Sequence, residues 1–162
     1  MFFTDLAQNI VVPTDFYRRF TVTGLPEPQK DHAIIMTRFA GECLRKMQLL
    51  VDTLSDKLGP DTAELELRVG LHSGPTTAGV LRGQKSRFQL FGETVNTAAR
   101  MENTGLPGMI QISQTTADAL IVNGKGHWCR ARENSAGFKG DSLVQTYWVK
   151  ENVVAGDVPS ED

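Results

Sequence analysis

Asn96 and Arg100 stand four residues apart in the stretch Glu93 to Glu102. Four residues is about one helical turn, so on a helix the two side chains share a face. An amide that both donates and accepts, beside a guanidinium with a fixed fork of donors, suits an oxyanion such as a phosphate. Alone, an Asn and an Arg at this spacing describe many solvated helix faces. Here Gly92 and a short apolar strand come first, which sets the helix at the end of a sheet strand, where α/β folds often place ligands. Lys139, between Phe138 and Gly140, offers an ammonium with close backbone approach beside it, although a lysine in a surface turn is ordinary.

Two carboxylates are candidates for a cation. Asp5 lies in the apolar stretch Phe2-Phe3-Thr4-Asp5-Leu6, where a carboxylate is costly unless it meets a cation or donors. A hard metal such as Mg²⁺ would satisfy it, and so would water near Met1. Asp15 is a second candidate, or a turn residue after Pro13. The run Ser73-Gly74-Pro75-Thr76-Thr77-Ala78-Gly79 invites a phosphate-loop reading but lacks the Gly-Lys-Ser/Thr ending. It is expected to be a hairpin turn with a glycine where another element packs closely. His32, His72 and His127 make no cluster. His72 falls on the outer face of a strand, and none of the three is assigned a catalytic role.

These residues need elements to position them. Residues 1 to 26 read as two short strands broken at Pro13 and Thr14, the second near Phe16 to Thr23. Asp31 is placed to cap a long amphipathic helix over His32 to Leu58, where Met36, Phe39, Ala40, Cys43, Met47, Leu50, Val51, Leu54 and Leu58 recur at three and four. Gly59-Pro60 ends it. Leu65, Leu67, Val69 and Leu71 alternate with Glu66, Arg68, Gly70 and His72, predicting a half-buried strand. Ser73-Gly74-Pro75 is expected to turn it into a second strand, Thr77 to Leu81. A strand over Phe88 to Phe91 and a helix over Glu93 to about Glu102 follow. Then come a strand over Met109 to Ile112, a helix capped by Ser113 and running through Val122, an edge strand over Trp128 to Arg132 and a last strand over Gln145 to Val149. Helices packed on a mainly antiparallel sheet are the architecture this order implies.

With 162 residues the chain fits one domain, residues 1–150, with 151–162 expected as a disordered acidic tail. The composition, 40% hydrophobic and 22% charged, is that of a globular protein. A net charge of −2 gives no electrostatic reason to expect nucleic acid or an anionic membrane as partner. Two cysteines, Cys43 and Cys129, make neither a metal spacing nor a disulfide framework and are expected to be small buried thiols in a reducing compartment. The first residues lack the basic and apolar regions of a signal peptide, and no segment reaches the roughly 20 apolar residues of a spanning helix. A cytoplasmic chain, or the soluble domain of a larger membrane-tethered protein, is the expectation.

Five motifs in order give the chain a family resemblance: VTGLPEPQKDHA at 22 to 33, LRVGLHSGPTTAGVL at 67 to 81, FQLFGETVNTAARME at 88 to 102, LPGMIQIS at 106 to 113, and FKG with TYWV at 138 to 149. Together they resemble the catalytic domain of the class III nucleotidyl cyclases, the adenylate and guanylate cyclases. The resemblance implies a ferredoxin-like βαββαβ core and a head-to-tail homodimer or heterodimer with active sites at the shared interface. It also implies conversion of a nucleoside triphosphate to a 3′,5′-cyclic nucleotide and pyrophosphate with two Mg²⁺ or Mn²⁺ ions. Asn96 and Arg100 match the pair that orients the ribose and steadies the charge developing on phosphorus. Lys139 matches the triphosphate-binding lysine, and Asp5 the first metal aspartate. Asp15 aligns with the second only if extra residues are allowed before Val22. Gln89 takes a purine-reading position where adenylate cyclases often have Asp and guanylate cyclases often have Cys. An amide fits either base; ATP is expected slightly ahead of GTP.

Residues 1–21 depart from the pattern. The helices that should follow the first strand are missing between Ala7 and Val22, as is a clear Gly-Asp hairpin. Losing those helices is expected to bare apolar surface on one side of the sheet. A catalytically incomplete module that binds nucleotide, or pairs with an intact cyclase partner, is the alternative function.

Overall fold

The computed structural model describes residues 6–11, 20–25, 27–59, 61–62, 65–81, 87–133, 145–150 and 153, with 6–11, 81, 87 and 88 described by their backbone alone. Asp5, Asp15 and Lys139, the expected turn at 13–14 and nearly all of the expected tail lie outside these residues.

Helix α1 spans His32–Leu58, the bounds the apolar periodicity predicts. Asp31 sits at the N-cap position, but its side chain makes no capping hydrogen bond. The helix entrance is held instead by Gln29, whose carbonyl accepts from the His32 backbone N–H and from His32 Nδ1 at 2.8 Å. Gly59, at φ 104, ends the helix and donates its N–H to Ser55 O. Only part of the apolar stripe is core. Ala33, Met36, Ala40 and Leu44 are buried, but Val51 is the one apolar side chain buried after them, and Phe39, Leu50 and Leu58 are exposed. At about 1.5 Å per residue, a helix this long outruns the core of a small domain.

The strands form two four-stranded sheets. β1 (Leu6–Val11), β2 (Thr21–Val22), β4 (Ser73–Leu81) and β5 (Arg87–Phe91) make an antiparallel sheet in the order β2-β1-β4-β5. β3 (Val69–Leu71), β6 (Ile110–Ser113), β7 (Cys129–Ala131) and β8 (Thr146–Val149) make the other, in the order β3-β6-β8-β7, with β3 and β6 parallel. Helix α2 (Glu93–Asn103) joins β5 to β6, and α3 (Gln114–Val122) follows β6 directly. Ser113 is the expected cap of α3, its hydroxyl accepting from Thr116 N. Val69, Leu71, Ile110, Ile112 and Val149 pack with the first half of α1, with Ala117 and Leu120 of α3 and with Trp128 in one apolar cluster. The mixed, mainly antiparallel α/β class expected from the sequence is the class observed. β1 and β2 pair directly, Ile10 opposite Val22, across the short connection where the sequence lacks the family's helices. Phe39, Leu49 and Leu50 on α1 and Val80 and Phe91 on the first sheet are exposed apolar side chains; Val80, opposite Phe88, and Phe91, opposite Thr77, fall on opposite faces of that sheet rather than on one.

Two strand expectations need correction. The alternating stretch from Leu65 is a strand only over Val69–Leu71, and all three of those residues are buried. What reads as a solvent face at Gly70 lies against α2: a Cβ there would stand 2.2 Å from Glu102 N and 2.7 Å from Ala98 O. The position therefore has room for glycine alone. The Ser73-Gly74-Pro75 hairpin turn does not exist. β4 begins at Ser73 and runs straight through both residues, Gly74 opposite Gln8 and Pro75 opposite Ala7 of β1. His72 is the single residue between β3 and β4, where the chain passes from one sheet to the other. The expectation of a closely packed glycine in this run holds at Gly74, whose added Cβ would sit 2.7 Å from Thr94 Oγ1.

Candidate functional site

Helix α2 carries the predicted pair. β5 ends at Phe91, and Gly92 at φ 127 turns the chain into Glu93, a backbone angle that L side chains avoid. Leu90 packs with Val95 against the fully buried Ala98, while Met101 and Glu102 are buried toward the second sheet. Glu102 Oε1 lies 3.3 Å from Arg68 Nε, which precedes β3, so the buried carboxylate has a charged partner. With 94, 98, 101 and 102 turned inward, helical periodicity turns Asn96 and Arg100 outward one turn apart, and both are exposed. The structure thus brings these two together as the spacing predicts. Their face is rigid from behind, since α2 lies backbone-to-backbone on Gly70.

Gln89 is half-buried on β5, opposite Gly79 of β4. Strand alternation puts it on the sheet face opposite to Leu90, away from the packed side of α2. A Cβ built at Gly79, opposite Gln89, meets no described atom within 4 Å. Among the described residues no group of three His, Cys, Asp or Glu side chains could hold a metal ion. Asp5 and Asp15 remain metal-ligand proposals. A separate cavity of about 430 Å³ lies along β7, lined by Leu106, Arg130, Ala131, Arg132, Glu133 and Trp148. It holds none of the predicted site residues. Arg132 there stacks on Trp148 at 5.0 Å and donates to Thr104 O at 2.8 Å and Gln111 Oε1 at 3.0 Å, tying β7 to the C-terminal end of α2.

His72 is not on a solvated strand face. Its Nδ1 lies 2.8 Å from Ser113 Oγ and 3.2 Å from Thr115 Oγ1, and the Thr115 hydroxyl donates to Ser73 O at 2.9 Å. The ring joins the sheet crossover to the start of α3. Burial holds its pKa below the ordinary histidine value. The unfolded chain then takes up a proton first as pH falls below about 6.5, so stability drops from that value downward and is flat above it. His72→Gln is expected to reduce the loss of melting temperature between about pH 7.5 and about pH 5.5, measured as paired thermal melts of wild type and variant. Cys43 and Cys129 are both half-buried, and burial pushes both thiols up, which leaves them poor nucleophiles.

Sequence reasoning missed Thr94, Gly70 and the Arg68–Glu102 pair. Each acts through a contact more than fifteen residues away in the chain, which local periodicity does not register. The one available signal was Gly70 at a position where alternation asks for a polar side chain.

Helices packed on mainly antiparallel sheets, with Asn96 and Arg100 exposed on the helix after β5, define a mixed α/β domain, and comparison with known proteins makes the class specific. The sequence profile of the adenylate and guanylate cyclase catalytic domain matches residues 15–151, and the chain belongs to that family. A receptor-type guanylate cyclase of Caenorhabditis elegans is 38% identical over 129 residues, 80% of this chain and 10% of the relative. The guanylate cyclase soluble subunit beta-2 of Rattus norvegicus is 36% identical over 135 residues, 83% of this chain and 18% of the relative. The guanylate cyclase domain of a Catenaria anguillulae protein, solved in complex with GTP, superposes with a TM-score of 0.66 at 34% identity, covering 86% of this chain and 72% of that one. The chain spans less than a fifth of the two full-length relatives. The slight preference for ATP finds no support here, because these relatives are guanylate cyclases. No helix among the described residues is long and apolar enough to cross a membrane.

Proposed function

We propose that this chain is a nucleotidyl cyclase domain that converts a purine nucleoside triphosphate, GTP ahead of ATP, to the 3′,5′-cyclic nucleotide and pyrophosphate. The observation that carries the reading is the exposed Asn96–Arg100 face on a helix fixed to the sheet behind it. The reaction forms a bond from the ribose 3′-oxygen to the α-phosphorus and breaks the bond from that phosphorus to the pyrophosphate oxygen, while the 3′-hydroxyl proton is lost. In this reading Asn96 holds the ribose with its amide, and Arg100 gives its forked N–H groups to the α-phosphate oxygens as charge shifts during transfer. Gln89 faces the purine, and Lys139 takes the triphosphate tail. The divalent metals that the family uses would lower the barrier at the 3′-hydroxyl and the leaving pyrophosphate when bound. Asp5 and Asp15 are the candidate ligands in this chain.

The substrate order is supported by the relatives above, which are guanylate cyclases; Gln89 itself can read either base. Purified protein given GTP and ATP in parallel is expected to form cyclic GMP faster than cyclic AMP. Faster formation of cyclic AMP would overturn the base order while leaving the reaction intact.

A second reading rests on the sequence of residues 1–21, which lacks the helices that should follow the first strand and a clear Gly-Asp hairpin. Here the chain supplies the Asn96 and Arg100 half of a two-chain site and a partner cyclase domain supplies the metal half; one relative, in its own name, is a subunit. Activity that appears only on mixing with a cyclase domain bearing both metal aspartates would favour it over a homodimer.

A further inference from the structure

Thr94 lies at the second position of α2, is 3% exposed, and donates its hydroxyl hydrogen bond to Pro75 O in β4. The bond leaves the helix altogether. A threonine at the start of a helix commonly satisfies the helix's own first N–H groups, whereas this one reaches nineteen residues back to a strand. Gly74 leaves room for the contact. A side chain at Gly74 would put a Cβ 2.7 Å from Thr94 Oγ1 and 3.1 Å from His72 Nε2. Gly92, at φ 127, stands beside the same contact, a Cβ there lying at an ordinary 3.8 Å from the Pro75 carbonyl oxygen. Pro75 itself stands opposite Ala7, and the next residue, Thr76, opposite Leu6 at the start of β1.

From this geometry we infer that Thr94 is a positioning residue: its bond to Pro75 sets where α2 begins on β4 and thereby where Asn96 and Arg100 point. The inference rests on the cyclase reading for its effect on turnover, but the clamp is a property of the fold. Asn96 is two residues beyond Thr94 and Arg100 six, so a shift of the helix start passes to both without altering their chemistry. A displacement of about 1 Å at a reacting group can cost on the order of a hundredfold in rate. Packing alone does not need the hydroxyl, because valine has the same shape.

The test compares wild type with Thr94→Val and Thr94→Ser by steady-state kinetics with GTP and by amide hydrogen exchange of residues 95–100 without nucleotide. Thr94→Val is expected to lower kcat about ten- to a hundredfold with KM little changed, and to speed exchange at 95–100 about fivefold or more. Thr94→Ser, which keeps the hydroxyl, is expected to restore both. Wild-type kcat in Thr94→Val, or a kcat in Thr94→Ser as low as in Thr94→Val, would overturn the inference. If the wild type makes no cyclic product from either triphosphate, the cyclase reading fails and exchange alone decides the clamp, with equal rates in wild type and Thr94→Val overturning it.

Discussion

Replacing Arg100 by alanine is expected to lower kcat/KM for cyclic nucleotide formation about a hundred- to a thousandfold, the scale on which a single preorganised donor to a transition-state oxyanion acts. The side chain is exposed on α2 and takes no part in the buried face made by Thr94, Ala98, Met101 and Glu102. The variant should therefore melt with the wild type, and the loss should be confined to turnover. Asn96→Ala is expected to fall in the same direction, since the amide one turn earlier holds the ribose against the same phosphate. Lysine at position 100 keeps the charge and loses the fork, so Arg100→Lys should retain only part of the activity. Equal activity in wild type and Arg100→Ala, with matching melts, would remove this face from the mechanism. A loss accompanied by a large fall in melting temperature would assign Arg100 to the fold instead.

The second large effect is on stability. Gly70→Ala puts a methyl group where α2's backbone already is, 2.2 Å from Glu102 N and 2.7 Å from both Ala98 O and Met101 C. None of these atoms belongs to a side chain that can rotate away, so the helix itself must move off β3. A cost of about 3 kcal/mol is expected, at the upper end of overpacking effects. The matched control is Gly79→Ala in β4. There a Cβ meets no described atom within 4 Å and the backbone is not left-handed, so a change within about 0.5 kcal/mol is expected. Chemical denaturation of the two variants checks both values. If Gly70→Ala is as mild as Gly79→Ala, α2 does not lie on β3 as described. Because Asn96 and Arg100 ride on that helix, Gly70→Ala should also lose activity at temperatures where it remains folded.

These two positions show what the sequence could and could not reveal. The bounds of α1 follow from apolar residues recurring at three and four and from the stop at Gly59-Pro60, the start of α2 follows from the break at Gly92, and Asn96 and Arg100 share a face because four residues make a turn. All of that is local and periodic, and it was legible. Gly70 broke an alternating pattern for a reason located thirty residues on, in the backbone of α2. The turn expected at Ser73-Gly74-Pro75 failed for a related cause. Glycine and proline there do not reverse the chain; Gly74 leaves room for Thr94, and the Pro75 carbonyl accepts from its hydroxyl. The apolar stripe on α1 overstated the core because periodicity marks a face without saying what covers it, and past Leu44 little in the described structure does. Base preference was the least legible feature, since one amide at position 89 can satisfy guanine or adenine. The relatives, rather than the residue, moved the reading toward GTP.

The most direct test of the central claim is a product assay by mass spectrometry on wild type, Asn96→Ala and Arg100→Ala, each given GTP or ATP with Mn²⁺. The expected result is a 3′,5′-cyclic nucleotide and pyrophosphate formed in equal amounts by the wild type, with product falling at least about a hundredfold in both variants. No cyclic product from the wild type with either triphosphate, or product that persists undiminished in both variants, would contradict it.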